Sequence, residues 1–167
     1  MKVGRLPAFL LAVAAILVFG PALPAQSPPQ PVSWSLALEP PGTSAVAAGG
    51  RVTVAVTATI TEGWHVYGTE ELKDGPRPLA IALAQGQPFK TAGKLQAPEA
   101  DRDFDPSFNQ VTTFYGKTTT FRLPVAASTG ARRGPAAVTV EVAFQACDGR
   151  ICLPGRIVKL SAPIQIR

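Results

Sequence analysis

The stretch 51–61, RVTVAVTATIT, alternates with a period of two. Val52, Val54, Val56, Ala58 and Ile60 fall on one side, and Arg51, Thr53, Thr57 and Thr59 on the other. β-Branched residues in that rhythm fit a pleated strand with one buried and one wet face; a helix would scatter the same residues around its circumference. Working outward, Val32, Trp34, Leu36 and Leu38 alternate with Ser33, Ser35 and Ala37, and shorter strand-like runs cover 64–67, 79–83, 117–125, 137–146 and 157–160, the last continuing to Ile166. Between them stand turn-formers: Pro40-Pro41-Gly42, Gly49-Gly50, Asp74-Gly75-Pro76, Gly130, Gly134-Pro135 and Asp148-Gly149. No segment carries an apolar helical stripe of a dozen residues. This pattern predicts an all-β domain, a two-sheet antiparallel sandwich of immunoglobulin-like type. One stretch breaks the rhythm. Residues 98–116, PEADRDFDPSFNQVTTFYG, hold Phe104, Phe108 and Phe114 with Asp101, Asp103 and Asp105 and show no clean alternation. A long aromatic loop inserted in a compact domain is expected to be functional rather than disordered.

Composition agrees. The chain has 167 residues, 46% of them apolar, with 17 Pro and 15 Gly, which fits one domain of short strands and turns and is too hydrophobic for general disorder. Residues 1–25 read as a signal peptide. Lys2 and Arg5 precede the apolar run Leu6–Phe19, which Gly20-Pro21 interrupts before it is long enough to favour anchoring over cleavage. An uncleaved leader acting as an anchor is the alternative. Residues 26–31 form a Pro/Gln/Ser-rich linker and 32–167 the folded domain, expected in the periplasm. Formal charge is +5; without Lys2 and Arg5 it is 14 cations against 11 acids, too small and too dispersed an excess to suggest nucleic-acid binding.

Export recasts the two cysteines as a pair, because extracytoplasmic compartments permit disulfides. Both lie in 138–160, VTVEVAFQACDGRICLPGRIVKL, which reads as a hairpin whose flanking strands lead to Cys147 and away from Cys152. With Gly149-Arg150 as a type II′ turn, Asp148 and Ile151 become a hydrogen-bonded pair and Cys147 faces Cys152 in the next, non-hydrogen-bonded pair, with Cα atoms about 4.5 Å apart. A ring of about six residues stabilises less than longer loops do, and short, tip-exposed disulfides are the exchangeable kind. Redox exchange is therefore favoured over a passive clip. A metal site is not expected: two Cys, His65 and the initiator Met are too few ligands. His65, in the strand-like GWHVYG, reads as a rim or packing residue. Neither cysteine sits at a helix N-terminus, and Arg150 is the only cation close in sequence, so reduced thiols near or above the reference pKa of about 8.5 are expected.

Three segments, FQACDGRICLP (144–154), GWHVYG (63–68) and FYGKTTTFRLPV (114–125), occur in the order in which similar motifs stand in the N-terminal periplasmic domain of the thiol:disulfide interchange protein DsbD, and most of 32–166 resembles that family. The resemblance implies an immunoglobulin-like sandwich whose two cysteines face each other on adjacent strands beneath a cap loop. It makes Cys152 the cysteine that forms mixed disulfides and Cys147 the resolving one. Phe114, followed by Tyr115, becomes the cap aromatic, with His65, Tyr67 and Gln145 lining the site. It also implies protein-disulfide reductase-type exchange without a cofactor, with thioredoxin-fold proteins as electron donor and disulfide isomerase-like acceptors, and membrane contact only through a partner or an uncleaved leader. Two departures stand out. Thr112 and Thr113 occupy places where the family's cap often has acids, Asp101, Asp103 and Asp105 lying farther upstream. The family protein also continues into a transmembrane conduit and a thioredoxin-like domain, whereas this sequence ends at Arg167, so the reductant is expected from another polypeptide. The alternative reading is an exported binding module with a structural hairpin disulfide and an exposed patch of Phe104, Phe108 and Phe114.

Overall fold

The computed structural model describes residues 30–167; the expected leader (1–25) and most of the expected linker (26–31) lie outside the described residues. These form twelve strands and, among the described residues, no helix. The first sheet orders β1 (Val32–Glu39), β3 (Arg51–Ile60), β9 (Thr119–Ala127) and β6 (Phe89–Thr91) side by side. The second orders β2 (Ala45–Val46), β12 (Arg156–Ile166), β10 (Gly134–Phe144) and β5 (Ala80–Leu83). Every pairing is antiparallel except that of β2, which runs parallel to the end of β12 through Gln165↔Ala45 and Ile166↔Val46.

The alternating residues act as their spacing predicts. Val52, Val54, Val56, Ala58 and Ile60 of β3 point inward, joined by Phe121, Leu123 and Val125 from β9 and by Val138, Val140 and Val142 from β10. Val54, Val56, Val125, Val138, Val140 and Val142 are all fully buried. Burying one such side chain stabilises by about 1.5–3 kcal/mol, so this layer dominates what holds the two sheets face to face. Trp34 closes one end, its ring centroid 5.2 Å from that of Phe144 and 6.4 Å from that of Phe121. The result is an immunoglobulin-like antiparallel β-sandwich.

A third four-stranded sheet, ordered β11 (Ala146–Cys147), β4 (His65–Tyr67), β8 (Gln110–Tyr115) and β7 (Asp101–Asp105), is an addition to the expected two. The cap expected to be an irregular loop is instead a β-hairpin, paired from Asp101↔Phe114 to Asp105↔Gln110, with Asn109 in the left-handed region at its turn (φ 51°). Asp101, Arg102, Asp103 and Phe104 are all exposed, so β7 has no buried face to impose an apolar alternation. On β8, Tyr115 turns into the core against Phe121 while Phe114, one residue earlier, points to the opposite face.

Candidate functional site: a hairpin disulfide under an aromatic cap

Strands β10 and β12 form one long ribbon, in register from Gly134↔Ile166 to Phe144↔Arg156. Beyond Phe144 the chain changes sheet. Ala146 and Cys147 pair with Val66 and His65 of β4, while Leu153 N–H returns to the Ala146 carbonyl at 2.9 Å. Between Phe144↔Arg156 and the Cys147↔Cys152 bridge the outgoing strand has two residues, Gln145 and Ala146, and the returning strand three, Leu153, Pro154 and Gly155. That extra residue is a bulge, which turns the tip out of the ribbon's plane and toward the third sheet.

Cys147 and Cys152 are bonded to each other, with Cα atoms 4.2 Å apart, near the spacing of a non-hydrogen-bonded pair. Gly149 supplies the expected positive φ (81°). The expected Asp148/Ile151 pair is only half made by the main chain: Asp148 N–H donates to the Ile151 carbonyl at 3.2 Å, but Ile151 N–H goes to the Asp148 side chain. Asp148 Oδ1 accepts from both Arg150 N–H (2.9 Å) and Ile151 N–H (2.8 Å). These donors, led by Ile151 and helped by the Arg150 charge, hold the Asp148 carboxyl below its ordinary pKa. The two sulfurs are unequally reachable: Cys147 is 1% exposed, whereas Cys152 is half-buried.

Three of the five expected neighbours meet here. His65, opposite Cys147 on β4, packs edge-on against Tyr67 (centroids 5.1 Å) and at a 50° tilt against Phe114 (5.1 Å). Burial pushes the His65 pKa down, against the opposing pull of Asp105 and Asp148, and leaves a neutral imidazole at neutral pH. Tyr67, 2% exposed, brings its hydroxyl to 3.1 Å from Cys147 Sγ and 3.7 Å from Cys152 Sγ. The side chains of the other two point elsewhere, although the Gln145 main-chain carbonyl accepts from Tyr67 N–H at 3.4 Å. Tyr115 faces the core and donates its hydroxyl to the Pro98 carbonyl at 3.2 Å, and burial raises its pKa. The Gln145 side chain accepts from Arg77 N–H at 2.8 Å, bracing the loop before β5.

The structure adds two groups that the sequence left upstream. Asp105, last residue of β7, accepts the Tyr67 hydroxyl at 2.7 Å through Oδ2 and Ser107 N–H at 2.8 Å through Oδ1. Burial, then this hydrogen bond, then the Asp105 charge raise the Tyr67 pKa well above the ordinary phenol value. Phe108, from the hairpin turn, sets its ring edge-on to Tyr67 at 5.7 Å. Of the three phenylalanines suggested as an exposed patch, Phe104 is 55% exposed, while Phe108 and Phe114 are half-buried against the site. A shallow cavity of about 150 Å³ lies beside the tip, lined by His65, Asp103, Asp105, Thr112, Phe114 and Gly149 among others. The signal for Asp105 lay in the pattern Asp-Pro-Ser-Phe-Asn (105–109), whose turn-formers place Asp105 across from Gln110 once the segment is read as a hairpin.

Fold and site together define a β-sandwich domain that carries one disulfide at a hairpin tip, outside its core, beneath an aromatic lid. The sequence matches the family described as thiol:disulfide interchange protein DsbD, N-terminal, over residues 37–160, and the chain belongs to that family of thiol–disulfide exchange domains. Among solved structures it resembles the N-terminal periplasmic domain of ScsB from Proteus mirabilis at 14% identity and a TM-score of 0.46, over 73% of this chain and 43% of that one. The chain thus spans under half the length of that structure. No curated protein matches it.

Proposed function

We propose that the domain is a periplasmic electron carrier, accepting two electrons from a thioredoxin-fold donor and passing them to oxidised partners such as disulfide isomerases. In the charging direction a donor thiolate attacks Cys152 Sγ, the S–S bond breaks, and Cys147 leaves as a thiolate. The donor's second thiolate then attacks the mixed disulfide, releasing Cys152; the donor is oxidised by two electrons and the Cys147–Cys152 pair reduced. Discharge is the same sequence in reverse, with Cys152 attacking the acceptor's disulfide and Cys147 resolving the mixed bond. No cofactor takes part. A pair that gives up two electrons in each turn must be reduced again by a donor outside the pair.

The observation that carries this reading is the inequality of the two sulfurs. Cys152 is half-buried at the tip and Cys147 is 1% exposed behind it, so an incoming nucleophile meets Cys152. The aromatic hairpin, with Phe114 and Phe108 packed on His65 and Tyr67, is positioned to shield the bond from small thiols, and the Phe114 side chain to swing aside when a partner docks while the hairpin stays seated. Export of the domain by a leader over residues 1–25 belongs to the same proposal.

The test is a trapping experiment. A Cys147→Ser variant incubated with an oxidised thioredoxin is expected to accumulate a mixed disulfide at Cys152, whereas Cys152→Ser, with Cys147 left, gives little. Absence of an adduct at Cys152 with thioredoxin and with disulfide isomerases, or a reduction potential well below about −300 mV, would mark the bond as a structural clip.

A further inference from the structure

We propose that the Tyr67 hydroxyl is the proton-handling group for Cys147, held in place by Asp105 from the cap hairpin. This rests on the exchange reading above and adds to it a catalytic residue and a positioning residue.

The Tyr67 hydroxyl has one hydrogen and faces three acceptors: Asp105 Oδ2 at 2.7 Å, Cys147 Sγ at 3.1 Å and Cys152 Sγ at 3.7 Å. A disulfide sulfur is a weak acceptor and a carboxylate a strong one, so in the oxidised protein the hydrogen goes to Asp105. When Cys152 is attacked, the departing Cys147 sulfur takes on a full negative charge. It then competes for the hydrogen as an anion, at a distance that needs no rearrangement of the ring. A donor aimed at the place where charge develops stabilises the transition state more than the ground state. Because Cys152 is farther from the same hydroxyl, the arrangement favours breakage that leaves charge on Cys147.

Discharge needs the opposite service. After Cys152 has formed a mixed disulfide with an acceptor, Cys147 carries a proton and must lose it to attack. The Cys147 S–H gives its proton to the Tyr67 oxygen as the phenolic hydrogen passes to Asp105 Oδ2. The Cys147–Cys152 bond forms, the acceptor leaves as a thiolate, and the proton returns from Asp105 through Tyr67 to solvent or to that thiolate. Charges and protons balance without a further reagent. Asp105 does not touch sulfur. Its other oxygen is fixed by Ser107 N–H at the hairpin turn, so the position of the phenol hydrogen depends on the cap being seated. His65 on β4, Asp103 on β7, and Asp148 and Arg150 at the tip are the other titratable groups around this pair. None of them hydrogen-bonds to the Tyr67 hydroxyl or to either sulfur.

The reduced protein reacted with 5,5′-dithiobis(2-nitrobenzoate) separates the two steps. The first thionitrobenzoate released reports attack by Cys152, and the second reports resolution by Cys147. Tyr67→Phe keeps the ring that packs on Phe108 and His65, and is expected to lower the ratio of second to first release rates by about 10- to 100-fold, the scale of a charge-assisted hydrogen bond to a reacting group. Asp105→Asn is expected to lower the same ratio and to make the second release rise tenfold per pH unit between about pH 6 and 8, while the wild-type profile stays flatter. A purely structural role for Asp105, holding the Tyr67 hydroxyl in place, would lower the ratio without changing the slope. Equal ratios and equal pH profiles in wild type and both variants overturn the relay while leaving exchange at Cys152 intact. No release from the reduced wild-type protein overturns both.

Discussion

Breaking the Cys147–Cys152 bond is expected to leave the sandwich folded. The cysteines are five positions apart, so the bond closes a ring of six residues. In the chain-entropy treatment such a ring restricts the unfolded chain by about 2 kcal/mol at 25 °C, less than half the value for a loop of a hundred residues. For a domain of this size, roughly 3–4 °C of melting temperature corresponds to each kcal/mol, so reduction is expected to lower it by about 7 °C. The six fully buried valines of β3, β9 and β10 lie in the sandwich core and not in the ring, and they retain their neighbours when the bond opens. The assay is thermal unfolding followed by circular dichroism on oxidised protein, on protein held reduced by a phosphine, and on Cys147→Ser/Cys152→Ser. The two bond-free forms should melt within a few degrees of each other and cooperatively. A loss of more than about 20 °C, or a broad non-cooperative transition on reduction, would show that the bond is framework and that the domain cannot cycle through a dithiol state.

Phe114→Ala, which removes the ring packed at a tilt against His65, is expected to speed phosphine reduction of the disulfide about ten-fold, at a cost of about 1–2 kcal/mol in urea unfolding because the ring is only half-buried. Gly68 lies where a Cβ would collide with Thr113 Oγ1 and crowd its Cβ. Gly68→Ala is therefore expected to cost about 1–3 kcal/mol, and Thr113→Ala in the same chain should recover part of it, measured as a double-mutant cycle; strict additivity would refute the clash. His65 has a lowered pKa in the folded state, so the unfolded chain binds its proton more tightly. Its contribution is present above the unfolded value of about 6.5 and is lost as pH falls through the folded one. Urea midpoints should fall from about pH 7.5 to 5.5 with a slope that His65→Phe reduces, and an unchanged slope would reject the assignment.

Strand identity was legible wherever one face is buried. β3, β9, β10 and β12 announce themselves by period two because the core takes every second side chain. The pair at the hairpin tip was equally legible, since Gly149 can hold the positive φ that brings Cys147 opposite Cys152. What escaped is structure whose sequence carries no burial pattern. The β7–β8 hairpin is exposed along most of β7, so its residues looked irregular although they pair in full register. The two-residue strand β2 and three-residue strand β6 are too short for any periodicity. The reach of Asp105 to Tyr67, 38 positions away, depends on that pairing and so could not be read without it. Tyr115 shows the complementary error: adjacency to Phe114 in sequence suggested a shared role, but neighbours on a strand face opposite ways.

Gln145 marks the boundary at which a single run of chain passes from one sheet to another, leaving the valine-lined ribbon at Phe144 and joining β4 at Ala146. Whatever tugs on the lid therefore reaches Cys147 sideways through β4, whereas the route back into the interior is interrupted by the bulge opposite. The layout separates a working head from the body that bears it. Substitutions at the head can retune how readily the sulfurs are reached without being filtered through the requirement that the body stay packed.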